Sequence, residues 1–410
     1  MKLAPIYAGL LAFMALSTSC DRIDNGLNTD DIGYMTLNVT ANPKAAGIES
    51  TEGLKIVLEN FTEGFRTEHI MTDGVNKIDK LIPGTYSINI TGNVEEDGKT
   101  FFLNGSKINY LLVKDGESIN IDVSGASVGP LAFSEIFFAG TEPFYFRNQF
   151  YEIINNSDET VYLDGLYFAN LTPGTATLKL PVWPEEDAGK YIYAERIWKI
   201  PGTGKDYPLA PGESFSMAQF AANHKLPQYS PNSPIDCSTS EFEFNMNNAN
   251  FPDQPAANMQ HVFYNGLAGK GSLPQYLTAV FGGAYVIFRV PEGETYDPVN
   301  NKSLQTRNLG TTSANLFAKI PLTYIMDAVE CGHNENMIEA KRVASVLDAG
   351  MTYVGATYNS KGVRRKKSGT NADGKPILQD TNNSTEDFER MVVPTFRFYG
   401  EGIPSWSLAN

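Results

Sequence analysis

Apolar and polar residues alternate through this chain mostly with the two-residue period of half-buried strands. Met35-Thr36-Leu37-Asn38-Val39-Thr40 sets the pattern, and Gly53–Glu59 follows a loop at Asn42-Pro43. Pro83-Gly84 predicts a tight turn into a strand whose Tyr86, Ile88 and Ile90 share one face. Asn104-Gly105-Ser106 and the turn Asp115-Gly116 are expected to bound strands at 107–113 and 118–123. Three further runs, Ser134–Phe138, Gln149–Ile154 and Val161–Phe168, are rich in β-branched and aromatic residues and separated by Asn, Ser, Asp and Gly. Glu135 and Glu152 fall inside these runs, which predicts short edge strands with their polar positions facing water. Ala284–Phe288 is continuously apolar, as expected of a buried strand.

Composition agrees with a β-rich globular chain: 42% hydrophobic, 19% charged, 20 Tyr and 24 Phe among 410 residues, enough for two or three domains with real cores. The net charge of −15, with no long basic stripe, argues against a nucleic-acid partner, which needs clustered Lys and Arg. Met1–Ser19 has the form of a targeting segment. Lys2 is followed by the apolar run Ala4–Ala15, too short to span a bilayer, and by small residues leading to Cys20. Small residues before a Cys resemble the lipobox of bacterial lipoproteins, with Ser17 where that box usually has Leu. The resemblance implies lipidation of Cys20 and an outer-membrane anchor. The acidic stretch Asp21–Asp31 belongs to a tether at 20–33. It loosely resembles the export signal of bacteroidete-type surface lipoproteins, which implies display on the cell exterior. Cys237 and Cys331 leave either one disulfide or two buried free thiols.

The strand order ending in Pro83-Gly84-Thr85-Tyr86 resembles the carboxypeptidase-regulatory-like (transthyretin-like) β-sandwich over residues 34–125. Ser124–Pro130 reads as a linker. Its Gly125-Ala126-Ser127-Val128-Gly129 matches a nucleophile elbow formally, but Pro130 and a strand follow where a helix is required. From residue 131 to 410, Ser134-Glu135-Ile136, Glu152–Val161, Leu163-Asp164-Gly165, Leu209–Phe215, Ile325–Glu330 and Asp380–Phe388 resemble, in order, the lamin-tail domain. That resemblance implies an immunoglobulin-type sandwich. The expected fold is therefore all-β, with two β-sandwich domains. A minimal sandwich needs roughly 100 residues, so insertions are placed at Thr172–Asp206, Asn223–Leu273 and Pro291–Asn315, where Pro, Gly and Asn are dense. Long loops on a rigid sandwich are natural binding surfaces. The whole arrangement resembles an uncharacterised family of bacteroidete-type lipoproteins found alongside TonB-dependent outer-membrane transporters.

Little of the chain carries chemistry. His69, His224, His261 and His333 are widely spaced and form no zinc-binding pair. Cys331, His333 and Glu335 alternate, and either line a strand face able to take a metal or belong to a polar loop. Gly202-Thr203-Gly204-Lys205 lacks the earlier Gly and following Ser/Thr of a phosphate loop. The acidic loop Asp380–Asp387 offers hard oxygen ligands for calcium without the EF-hand spacing. Trp183, Tyr191, Tyr193 and Trp198 concentrate in one predicted insertion, together with Tyr207 next to its end, as core packing or as ligand and partner anchors. Arg364-Arg365-Lys366-Lys367 is the dense basic run, read as an exposed hairpin loop that is either merely solvated or in contact with anionic headgroups or an acidic partner. The expectation is a non-enzymatic outer-membrane lipoprotein without cofactor or metal, an accessory or ligand-capture subunit of a TonB-dependent transporter. An autonomous adhesin or glycan-binding module and a loop-borne hydrolase are the alternatives.

Overall fold

The computed structural model describes residues 33–409 apart from 44, 45, 47, 61, 97, 98, 128, 178 and 269–274. The targeting segment, Cys20 and nearly all of the 20–33 tether thus lie outside the described residues. The fold is all-β, and the α-helix Ser384–Asp387 is a single turn.

Residues 35–127 form two facing sheets. In the three-stranded one, Met35–Asn42 pairs antiparallel with Asn76–Leu81 and parallel with Glu117–Asp122. The five-stranded sheet runs in the order Phe65–Ile70, Lys55–Asn60, Gly84–Glu96, Lys99–Leu112 and Ser124–Ser127. Alternate residues from both sheets, among them Leu37, Val39, Ile56, Leu58, Tyr86, Ile88 and Ile90, meet in one core. Two expectations fail in this unit. Asn104-Gly105-Ser106 is not a strand boundary but lies inside Lys99–Leu112. A Cβ on Gly105 would stand 2.6 Å from the Asp122 carbonyl oxygen, so glycine there permits a close backbone approach rather than a turn. Ser124–Ser127 is not free linker but an edge strand on Phe101–Asn104.

From residue 131 the chain builds a larger sandwich. Its seven-stranded sheet has the order Ala257–Asn258, Phe242–Glu243, Ser214–Ala218, Phe150–Asn155, Leu131–Phe137, Gly362–Arg365, Phe388–Val392. The facing sheet runs Gln305–Thr306, Phe317–Pro321, Tyr191–Lys199, Tyr167–Leu171, Ala284–Phe288, Ile325–Gly332, Thr352–Tyr353, with Gln260–Tyr264 also paired to Tyr191–Lys199. Both faces of this second sheet are covered. Tyr285 and Ile287 point into the inter-sheet core, while Ala284, Val286 and Phe288 pack into a second core on the other side. That two-sided burial accounts for the continuous apolar run. The predicted insertion Thr172–Asp206 is not all loop, because it contains the nine-residue strand Tyr191–Lys199. A bulge opposite Asn170 and Leu171 interrupts the alternation of that strand at Glu195.

Glu135 and Glu152 do not face water. They sit opposite one another on paired interior strands, 1% and 2% exposed, with Arg364 next in the row. The C-terminal segment crosses this face and supplies the missing donors. Thr395 N–H donates to Glu135 (2.7 Å) and Arg397 N–H to Glu152 (3.0 Å). Arg364 Nε donates to the other Glu135 oxygen at 2.6 Å. The Arg397 guanidinium and Ser407 Oγ both reach Glu241. Burial pushes the Glu135 carboxyl up to about 7, against the pull of Arg364. Burial, then the neighbouring Glu401 and Glu135, pushes Glu152 to about 8.

Candidate functional site

The structure separates the residues of the basic run. Arg364 and Arg365 are buried strand residues rather than members of an exposed loop. Arg364 pairs with Glu135 and lies 3.6 Å under the Phe398 ring. Arg365 donates to Asp327 (2.7 Å), Asp380 (3.0 Å), Asp387 (3.4 Å) and the carbonyls of Phe133 and Gln379. Asp327 belongs to the opposite sheet, so this guanidinium ties the two sheets together at their edge. It also occupies the acidic cluster in which calcium was a candidate. Lys366 is half-buried and donates to the Glu386 carbonyl, and Lys367 is exposed on the hairpin that follows. The sequence conceals these partners: Glu135 is 229 positions from Arg364, and Asp327, on the opposite sheet, is 38 from Arg365.

The aromatic group also divides. Trp198 is fully buried in the inter-sheet core against Phe244 and Tyr276. Tyr207 packs on Phe242 and Trp406. Trp183 stacks on Tyr193, with ring centroids 4.0 Å apart, and meets Phe317 edge-on. Tyr191 carries Lys319 over its ring, and Lys319 pairs with Asp187. Cys331 is buried in the core, whereas His333 lies against Phe281 and Glu335 is exposed, so the three do not converge. Among the described residues no group of three or more His, Cys, Asp or Glu is disposed to hold a metal ion. Cys237 and Cys331 are both free and buried.

A cleft of about 600 Å³ opens where the inter-sheet core of the larger sandwich meets its loops. Each of the three predicted insertions contributes to it: Thr172–Thr177 with Glu195 and Arg196 from the first, Tyr264 and Asn265 from the second, Asn315 from the third. The bulge at Glu195 places two charged side chains here. Glu195 accepts from Gly174 N–H at 3.0 Å, and a Cβ on Gly174 would stand 2.5 Å from that same oxygen. Glycine therefore allows the loop to close on the carboxylate. Arg196 packs its guanidinium against Tyr264 and Tyr276, 5.0 and 5.4 Å from their centroids. Its Nε is 3.7 Å from Glu195, beyond hydrogen-bond reach, and neither Nε nor Nη1 has a hydrogen-bond partner among the described residues. Those two nitrogens have almost no accessible surface, so the donor that Arg196, 14% exposed, can turn to the cleft is Nη2, which makes no hydrogen bond among the described residues. Phe146 and Phe317 line the walls, and Phe317 is backed by the Trp183–Tyr193 stack. Arg196 was not singled out in the sequence; the readable signal was a Glu-Arg pair interrupting an otherwise apolar strand.

These features define an all-β protein of two sandwich units with a polar, aromatic-walled cleft in the second. The family described as "Protein of unknown function (DUF4876)" matches residues 210–395. A crystal structure of a DUF4876 family protein from Bacteroides thetaiotaomicron is 52% identical, with a TM-score of 0.67, covering 91% of this chain and 99% of that one. The chain belongs to the DUF4876 family, an uncharacterised family with a bacteroidete member, as the resemblance implied. Comparison with curated proteins finds no match.

Proposed function

We propose that the protein is a non-enzymatic lipoprotein of the outer membrane that captures a small polar ligand in the Arg196 cleft as an accessory subunit of a TonB-dependent transporter. The cleft carries the reading. It is concave, built on a two-sheet frame, and holds a half-buried cation whose accessible Nη2 makes no hydrogen bond among the described residues, the arrangement expected of a binding site. Catalysis finds less support there, since Glu195 is the single carboxylate among the lining residues and general acid–base hydrolysis of a glycoside uses two. Lipidation at Cys20 would keep the cleft at high local concentration beside its transporter. Of the predicted partner contacts, the half-buried Trp183, Tyr191 and Tyr193 and the exposed Lys367 remain as candidates.

The test is gentle detergent extraction of the tagged, lipidated protein from its native membrane, followed by mass spectrometry of what co-purifies. A transporter at near-equal stoichiometry is the expected result. Recovery of the protein alone, repeated after cross-linking, would refute the accessory role and favour an autonomous surface-binding module.

A further inference from the structure

The chemistry of the cleft narrows the class of ligand, an inference that rests on the capture role proposed for the same site. The charged groups of the lining are Glu195 and Arg196, one of each sign and 3.7 Å apart. The site as a whole is thus close to neutral and sits in a chain of net charge −15, which works against a strongly anionic ligand. The other polar groups of the lining are carboxamides and hydroxyls, which donate and accept with equal ease. Some are already committed. Thr278 Oγ1 bonds Gln149 and Gln219, and Asn265 Oδ1 accepts from Leu316 N–H. Asn315 is exposed and its side chain makes no bond among the described residues, while Arg196 offers Nη2, its accessible guanidinium nitrogen, beside a carboxylate that still has an oxygen to spare.

The walls add a second requirement. Phe146, Tyr264 and Phe317 are each half-buried, so each presents part of a ring to the cleft. A matching ligand must carry several hydroxyls acting as donors and acceptors at once, together with a flat face of C–H groups that stacks on aromatic rings. We propose that the cleft binds a short neutral saccharide, its hydroxyls bridging Arg196, Glu195 and Asn315 and a ring face lying on Phe146. The volume of about 600 Å³ lies within the range of small-molecule sites and exceeds what one sugar ring fills.

Saturation-transfer NMR and calorimetry on the chain from residue 21 onward would use four neutral probes, cellotriose, maltotriose, mannotriose and chitotriose, and one acidic probe, tri-galacturonate. The expected result is binding of at least one neutral trisaccharide, with tri-galacturonate no tighter. Arg196→Gln and Phe146→Ala should each weaken the neutral probe about tenfold, and Asn315→Ala about threefold, the effect of one lost hydrogen bond. Asn315 is exposed, so its variant keeps the test valid if the others fail to fold. Silence from all four neutral probes, tighter binding of tri-galacturonate, or binding indifferent to Asn315→Ala and the folded members of the other two would overturn the proposal. A transporter that co-purifies while every sugar fails would refute the saccharide and leave the capture role standing.

Discussion

Replacing Arg365 by Met keeps an unbranched apolar stem and removes the charged guanidinium. Three buried carboxylates, Asp327, Asp380 and Asp387, then face one another without a cation, and the carbonyls of Phe133 and Gln379 lose their donor. Breaking a single buried ion pair costs about 3–5 kcal/mol. With all three partners at most 3% exposed, the loss belongs at the upper end of that range near pH 8. The pH dependence follows from the same geometry. Burial already raises Asp387 to about 6 and raises Asp327, while Arg365 opposes both shifts. Without Arg365 the folded-state values rise further, so the folded variant holds protons that the unfolded chain has released. Its stability therefore climbs as pH falls from 8 towards 5, and its deficit against the wild type narrows. All three tryptophans, Trp183, Trp198 and Trp406, lie beyond residue 131, so tryptophan fluorescence in urea reports the larger sandwich alone. A deficit below about 1 kcal/mol, or one unchanged between pH 8 and pH 5, would refute the reasoning.

Three other outcomes are expected. Burial raises Glu152 from its ordinary 4.5 to about 8, so its stabilising proton is fully present below about 4.5 and lost as pH rises through 8. Glu152→Gln should accordingly gain on the wild type in urea titrations between pH 5 and pH 9, and parallel profiles would count against it. His224 works in the other direction. Burial lowers it from 6.5 to about 4, so the unfolded chain takes up a proton first and stability falls as pH drops through that interval. His224 meets Tyr145 Oη at 2.6 Å and the Phe220 carbonyl at 2.9 Å, so His224→Gln keeps polar partners while flattening the acid limb, measured by thermal melts from pH 7 to 4. Finally, a thiol reagent applied to the chain from residue 21 should label nothing in the folded state and two cysteines after unfolding without reductant; labelling that requires reductant would mean a disulfide.

Strands with a clean two-residue or continuous apolar pattern were legible in the sequence. Leu131–Phe137, Phe150–Asn155 and Ala284–Phe288 lie where their residues predict them. What failed was the reading of charged residues inside strands. Glu135 looked solvent-facing because its partners, Arg364 and Thr395, are 229 and 260 positions away. Arg364 looked like part of a surface patch for the same reason, Arg365 because its acidic partners are brought round it by the fold, and only Lys367 of that run is exposed. Tyr191–Lys199 was absorbed into a predicted insertion because the bulge at Glu195 breaks its alternation, and that same irregularity forms part of the cleft. The three insertions were placed by their turn residues, and their convergence on one cavity depends on pairings that no local pattern encodes.

The C-terminal segment has a consequence for how the chain is made. Residues 35–127 can close their core as soon as they are synthesised, since the sheets they form need nothing later. The larger sandwich has to wait. Until Thr395 and Arg397 have left the ribosome, Glu135 and Glu152 have no backbone donors to cover them, and until Ser407 follows, Glu241 lacks one of its bonds. A prematurely terminated chain would therefore present a paired row of glutamates on an open sheet face, a mark that distinguishes unfinished molecules from finished ones before any ligand is met.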